Sequence, residues 1–190
     1  MDNLIQSILF RMKWSKLVNE DDEDVYRFGL ECLLLKLIHY SSYLFIGFVL
    51  RMTIPMLVSA MALMPLRSRS GGYHAKTRFG CYLFSCFVVF LVCMLNKVMF
   101  PGWLLVLVVF MVNIVVCCFA PLENENRILD QSEIKEFRKQ ALSLLGIADV
   151  VIITTALMDC IISQWLLNGI LIAAILILLE KCKRNIVEHI

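Results

Sequence analysis

The chain has 190 residues, a formal net charge of +2 and an apolar fraction of 60%, with a mean hydropathy of +0.79. This apolar fraction exceeds that of soluble domains and indicates an integral membrane protein, in which four to six crossings of about 20 residues each use up the chain. The composition therefore leaves no room for a separate soluble catalytic domain, and the small net charge gives no support to nucleic-acid binding.

Residues 1–24 predict an amphipathic and then acidic segment at the cytoplasmic face. Apolar residues recur at near-helical spacing between Leu4 and Leu17, with basic residues on the rest of the turn. This pattern is typical of a helix lying on a membrane surface, and it is equally compatible with a plain surface helix packed on the protein. An acidic run at residues 20–24 follows, and the pattern of a cleavable signal is missing, so we expect this segment to stay attached.

Apolar segments then follow in chain order, at about residues 26–50, 53–66, 80–99, 102–120, 141–162 and 164–180. Proline, glycine or polar residues separate them, at residues 51–55, 71–72, 101–102, 121–140 and 159–164. The predicted fold is all-α, a polytopic membrane bundle of about six transmembrane helices. We expect one membrane domain over residues 1–190, with the bundle at 25–180 and a cytoplasmic tail at 181–190. A five-helix alternative fuses residues 26–66 into one span.

The distribution of lysine and arginine predicts the orientation, because positive charge near helix ends is retained on the cytoplasmic side. Under the six-helix topology, fifteen of the 18 basic residues share one side, Arg51 and Lys97 lie opposite, and Lys36 falls within the first span. Both termini and the loop between the second and third spans are therefore expected to be cytoplasmic.

Within that loop, Cys81 and His74 form the natural catalytic pair. Cysteine attacks acyl groups as its thiolate, and a nearby histidine can take the thiol proton and later protonate a leaving amine. The positive end of the third span and the cations Arg69, Lys76 and Arg78 favour the ionised thiol. The other membrane cysteines lack such surroundings.

The spacing of this pair sets a geometric condition. Seven residues of straight helix would separate the two α-carbons by about 10 Å, too far for a hydrogen bond. His74 must therefore precede the helix, which Gly71 and Gly72 permit through their conformational freedom and which Thr77 favours as an N-cap. The alternative is that His74 binds a lipid headgroup and Cys81 only packs.

Several polar residues fall inside the apolar segments and need an explanation, because charge in hydrocarbon is costly. On the first span they form a stripe that either lines a groove for a peptide or makes a hydrogen-bonded seam between helices: Glu31, Lys36, His39, Ser42 and Tyr43. Asp149 and Asp159 are about 15 Å apart on a straight helix, too far for a carboxylate dyad. We expect Asp149 to pair with a cation such as Lys36, and Asp159 to lie in an outer loop.

Neither a metal nor a cofactor is expected, since no His/Cys spacing matches a metal motif and no glycine loop matches a phosphate site. Most of the eight cysteines fall in apolar runs, so we expect free thiols rather than disulfides.

The combination of Arg67, the run from Gly71 to Ala75, and Cys81 resembles the AgrB family of bacterial membrane endopeptidases. The likeness extends over most of the chain, including the acidic amino-terminal segment and residues 28–31 and 121–126. One departure is that the basic residues after residue 126 are spread out, whereas some relatives carry a compact lysine run.

The resemblance implies a cysteine endopeptidase of the bacterial cytoplasmic membrane that cleaves an AgrD-type precursor and helps to form a cyclic quorum-sensing peptide. Cys81 then corresponds to the nucleophile, His74 to its base, and Arg67 and Gly72 to supporting loop positions. The expected partners are the precursor and the lipid bilayer, with a homodimer as one option for the oligomeric state. An alternative function is a small transporter or peptide exporter, in which Glu31, Lys36, His39 and Asp149 line a path.

Overall fold

The computed structural model of the protein describes residues 2–15, 22–73, 75, 77–122 and 130–188, and every long element in these ranges is an α-helix. In chain order the helices are α1 (Asp2–Trp14), α2 (Glu23–Val49), α3 (Thr53–Ser70), α4 (Arg78–Leu95), α5 (Gly102–Phe119), α6 (Gln131–Leu157) and α7 (Ile162–Glu188). The predicted all-helical membrane architecture is confirmed.

Five of these helices are long and apolar enough to cross a membrane: α2, α4, α5, α6 and α7. The segment counted as a further crossing at residues 53–66 forms α3, which has 18 residues, carries Arg67 and Arg69 in its last turn, and is not among the five. It is nevertheless a separate helix, because the chain breaks at Arg51, whose φ of 55° is incompatible with a continuous helix. The single fused span over residues 26–66 is therefore wrong.

The chain divides into two compact units, residues 1–45 and 46–190. The first unit contains α1 and most of α2. Ile5 and Leu9 of α1 are buried, whereas Phe10 and Trp14 are exposed. An ion pair of 2.5 Å between Lys13 Nζ and Glu23 Oε2 connects the end of α1 to the start of α2.

In the second unit, α7 is the central helix and packs against α3, α4, α5 and α6. Its sequence explains this position, because apolar residues occupy nearly its whole circumference rather than one stripe. Leu167, Ile170 and Ile177 are completely buried. They join a core that also takes residues from α3, α5 and α6, including Leu66, Val116, Leu145 and Ile152.

Two elements extend further than the hydropathy pattern predicts. α6 begins at Gln131 rather than at residue 141, because Asp130 and Glu133 form a capping box that satisfies free amides of its first turn. α7 begins at Ile162 and continues to Glu188. The second half of the polar span predicted at residues 121–140 is therefore helical. The Asp-x-x-Glu spacing of Asp130 and Glu133 is the sequence feature that indicates this helix start.

A buried polar network joins α3, α7 and the C-cap of α4. Asn96 Nδ2 donates to Ser59 Oγ at 2.9 Å, Ser59 Oγ donates to the Trp165 carbonyl at 2.7 Å, and Asn168 Nδ2 donates to Asn96 Oδ1 at 2.8 Å. In addition, Gln164 Oε1 accepts from the Phe100 amide at 3.1 Å. These bonds satisfy polar groups that would be costly to leave unpaired in an apolar bundle.

α3 and α7 are in close contact at Gly169. A Cβ atom at this position would lie 2.2 Å from the Ser59 carbonyl oxygen and 3.1 Å from the Ala62 side chain. The glycine is therefore required for the contact, and it lies beside the polar network.

We expect Gly169→Ala to destabilise the protein by about 1–3 kcal/mol, because the added methyl group collides with backbone and forces the two helices apart. Thermal unfolding in detergent measures this as a lower midpoint. The matched control is Gly146→Ala in α6, where a Cβ would meet nothing within 4 Å. Equal midpoints for the two variants would contradict the close packing of α3 on α7.

Candidate active site

The loop after α3 is shaped by the paired glycines. Gly71 has a φ of 77° and its amide donates to the Arg67 carbonyl at 3.1 Å. A Cβ on Gly71 would lie 2.3 Å from the Leu122 carbonyl oxygen, and one on Gly72, whose φ is 147°, would lie 3.3 Å from Leu176 Cβ. Both positions combine a backbone conformation that favours glycine with a close neighbour, which explains why the sequence places two glycines there.

Tyr73 is held from several directions. Its amide donates to the Leu176 carbonyl of α7 at 3.1 Å, and its own carbonyl accepts from Arg67 Nη2 at 3.0 Å. Its ring packs on Phe84 of α4 with 4.7 Å between centroids, and Lys183 Nζ lies 5.8 Å from the Tyr73 ring centroid. The loop is therefore attached to α3, α4 and α7, and Arg67, predicted as a supporting residue, holds its backbone.

Cys81 lies in the first turn of α4, as predicted. Thr77 is the N-cap, with an extended backbone and a side-chain oxygen that accepts from the Gly80 amide at 3.0 Å. The Cys81 amide makes an early helical bond to the Thr77 carbonyl at 2.9 Å, and its side chain is half-buried. The thiol therefore lies where the positive end of the helix dipole acts on it.

Gly80 has a local role as well. A Cβ there would lie 2.8 Å from Thr77 Oγ1, so a larger residue would displace the capping oxygen.

His74 and Lys76 lie outside the described residues. The pairing of His74 with Cys81 requires that the segment between them is not a continuous helix. α4 begins only at Arg78, and neither Ala75 nor Thr77 is helical. The straight seven-residue helix that would separate the pair is excluded.

A groove of about 620 Å³ lies between the end of α3 and the first half of α6, lined by Arg69, Glu136, Lys139, Gln140, Ser143 and Leu144. The Arg69 guanidinium lies over the Phe137 ring, 5.4 Å from its centroid. Arg69 was predicted as a supporting residue, but the groove was not, because its α6 wall lies within the segment predicted to be polar loop.

The polar stripe on α2 is partly bonded within that helix. Glu31 pairs with Arg27 at 3.7 Å, and His39 Nδ1 lies 3.2 Å from the Tyr43 hydroxyl. Lys36 is exposed. A role for Glu31 and Lys36 in binding a peptide stays a prediction.

Asp149 was predicted to pair with a cation, but its observed partner is a neutral side-chain amide. Its Oδ2 accepts from Asn113 Nδ2 of α5 at 2.9 Å, a partner that the sequence analysis did not identify. Asp159 lies in the connection between α6 and α7, as expected for a loop residue. All eight cysteines are free, and within the described ranges no group of three or more metal-binding side chains occurs.

These features define a polytopic helical membrane protein with a capped cysteine at a helix start beside a glycine-shaped loop. The family model of AgrB, accessory gene regulator B, matches residues 4–179, and the chain belongs to this family. No match was found among curated proteins or among solved structures.

We expect Thr77→Val to cost about 1 kcal/mol of stability, because the shape is kept while the capping oxygen is lost. Thr77→Ser keeps the oxygen and serves as the control. Thermal unfolding in detergent reports the stability, and the rate of Cys81 alkylation by iodoacetamide reports the helix start. If valine and serine behave alike in both measurements, the cap does not organise this turn.

Proposed function

We propose that this protein is a membrane cysteine endopeptidase that cleaves the carboxy-terminal part from an AgrD-type peptide precursor. The observation that carries the proposal is the position of Cys81 in the capped first turn of α4, directly after the loop that the two glycines and Arg67 shape. Membership of the AgrB family over nearly the whole chain supports the same function.

In the first step, Cys81 Sγ attacks the scissile carbonyl carbon while His74 takes the thiol proton. The tetrahedral intermediate collapses by breaking the C–N bond, and His74 returns the proton to the leaving amine. The tail is released, and the rest of the precursor is held as a thioester on Cys81.

In the second step, a thiol or hydroxyl within the precursor attacks the thioester carbonyl. Its proton passes to His74 and then to the departing Cys81 sulfur, and the product is a cyclic thiolactone or lactone. Exchange between a thioester and a thiolactone is close to isoenergetic, so exclusion of water at the membrane edge favours cyclisation over hydrolysis.

The negative charge of the tetrahedral intermediate needs hydrogen-bond donors. Backbone amides at the start of α4 that the Thr77 cap does not use are the candidate donors, since the first amides of a helix have no partner within it. The Gly80 and Cys81 amides are already bonded to Thr77. Arg67 serves instead to hold the loop, because its guanidinium is bonded to the Tyr73 carbonyl.

The groove beside α3 suits the part of the precursor that is removed. Arg69 and Lys139 contribute two positive charges and Glu136 one negative charge, so the groove favours an anionic segment. Its position next to the last turn of α3 connects it to the catalytic loop. By the charge distribution, we place this loop, both termini and the groove on the cytoplasmic side of the cell membrane, which requires α3 to cross the membrane in addition to the five longer or more apolar helices.

Cys81→Ala should lower precursor cleavage by more than about 1,000-fold, since loss of a nucleophile removes the covalent route. The assay uses purified protein in lipid vesicles with a labelled synthetic AgrD-type precursor, and mass spectrometry detects the thioester on Cys81. The control is Cys86→Ala, which removes another half-buried thiol of α4. Cleavage that is unchanged by Cys81→Ala would contradict the proposal and favour the transporter alternative.

Lys139→Gln should raise the KM for the precursor roughly fivefold or less with little change in kcat, because an ion pair at an exposed lysine contributes at most about 1 kcal/mol. Lys135→Gln removes the same charge from an exposed site of α6 outside the groove and should leave the KM unchanged. Equal effects of the two variants would show that only the overall charge matters. Steady-state kinetics in vesicles measures both parameters.

A further inference from the structure

The helix α1 carries apolar residues on two opposite faces. Ile5 and Leu9, which belong to the stripe that predicted an amphipathic helix, are 1% and 3% exposed. On the other face, Phe10 is 68% exposed and Trp14 is 83% exposed. The predicted apolar stripe is therefore already covered by protein, and the face of α1 that remains uncovered is a different one.

The uncovered face combines two aromatic side chains with an arginine. A helical spacing of i, i+3, i+4 and i+7 relates its members, which we call the Trp14 face: Ser7, Phe10, Arg11 and Trp14. A second groove of about 620 Å³ lies on this face and is lined by Gln6, Ser7, Phe10 and Arg11. The Arg11 side chain is exposed. The face therefore presents a guanidinium beside two aromatic rings.

α1 is attached to the start of a helix that can cross the membrane. The ion pair between Lys13 and Glu23 joins α1 to α2, and α2 is one of the five helices that are long and apolar enough to span. Charged residues occupy the first turns of α2, at Glu23, Asp24 and Arg27, so its apolar part begins only about 10 Å further along the axis. The ion pair thus holds the end of α1 near the headgroups that flank the hydrocarbon core.

The chemistry of the Trp14 face suits the headgroup region of a bilayer. Tryptophan is concentrated at membrane–water interfaces, because its ring gains from a less polar medium while its N–H keeps a polar partner. Phenylalanine and the aliphatic stem of arginine enter the same region, and the guanidinium stays among the phosphates. Anionic lipids attract such a positive charge more strongly than zwitterionic lipids do. The face therefore indicates a negatively charged phospholipid surface as its partner.

We propose that the Trp14 face of α1 binds the membrane surface: Phe10 and Trp14 enter the headgroup region, and the Arg11 guanidinium donates hydrogen bonds to the phosphate of an anionic phospholipid. The stripe of Ile5 and Leu9 faces protein at the same time, so α1 lies between the protein and the lipid. This inference concerns the first unit of the chain and does not depend on the proposed endopeptidase function.

The experiment uses fluorescence of the full chain in lipid nanodiscs that hold one copy each. The chain has three tryptophans, and Trp103→Phe with Trp165→Phe leaves Trp14 as the only one. The discs contain phosphatidylcholine with or without phosphatidylglycerol, and part of the lipid carries bromine near the headgroup end of its acyl chains. We expect this bromine to quench Trp14, and acrylamide in the water to quench it less than free tryptophan. Phosphatidylglycerol should strengthen the quenching by bromine.

Two variants test the components of the face. Arg11→Gln should lower the ratio of bound to unbound helix about fivefold in phosphatidylglycerol discs, because one arginine near an anionic surface contributes an attraction of that size. Phe10→Ala should weaken the quenching by bromine in both lipids, because apolar area that enters the interface is lost. The control is Lys97→Gln, which removes an exposed positive charge outside α1 and should leave the quenching unchanged. Thermal unfolding gives the folded fraction of each variant, to which the signals are normalised.

Three results would overturn the inference. The first is a Trp14 that acrylamide quenches as strongly as free tryptophan and that brominated lipid does not quench, which places the face in water. The second is equal quenching with and without phosphatidylglycerol, or equal behaviour of Arg11→Gln and Lys97→Gln, which rejects the anionic headgroup. The third is protection from acrylamide that arises only when discs hold two copies or when the synthetic precursor is added, which assigns the face to a second copy or to the peptide.

Discussion

The hydrogen bond from the Tyr73 amide to the Leu176 carbonyl connects the glycine-containing loop after α3 to α7, the most buried of the five apolar helices in the described part of the chain. It forms because Gly72 has no side chain, so the loop backbone can reach the surface of α7 beside Leu176. Because α7 packs against α3, α4, α5 and α6, the loop is attached to the central helix of the second unit. The position of this loop thus depends on packing within the bundle.

The apolar surroundings require the polar groups of the bundle to be paired. Asn96 with Ser59, and Asn113 with Asp149, are bonded between elements where unpaired groups would be costly. Among the described residues, four buried side-chain oxygens have no hydrogen-bond partner: Gln140 Oε1, Asp149 Oδ1, Asn168 Oδ1 and Glu180 Oε2.

Much of this fold follows from local sequence. The helical content, the breaks at residues 51 and 71–72, the N-cap at Thr77 and the start of α4 before Cys81 all depend on residues within a few positions of one another, and they are present as predicted. The start of α6 was also encoded locally, by Asp130 and Glu133, but hydropathy outweighed that signal in the prediction. Gly80 also acts locally, because the absence of a side chain there leaves Thr77 Oγ1 room to cap the helix.

The sequence by itself determined that the chain is a helical membrane protein with Cys81 at a helix start, because hydropathy and capping are local properties. The tertiary structure alone decided which side chains meet across the bundle. Tyr73 and Leu176 are far apart in the chain, and so are Asn113 and Asp149, and Arg69 and Lys139. Such pairs depend on which faces of the helices pack together, and in a bundle whose helices are apolar on nearly every side, no hydropathy pattern specifies those faces.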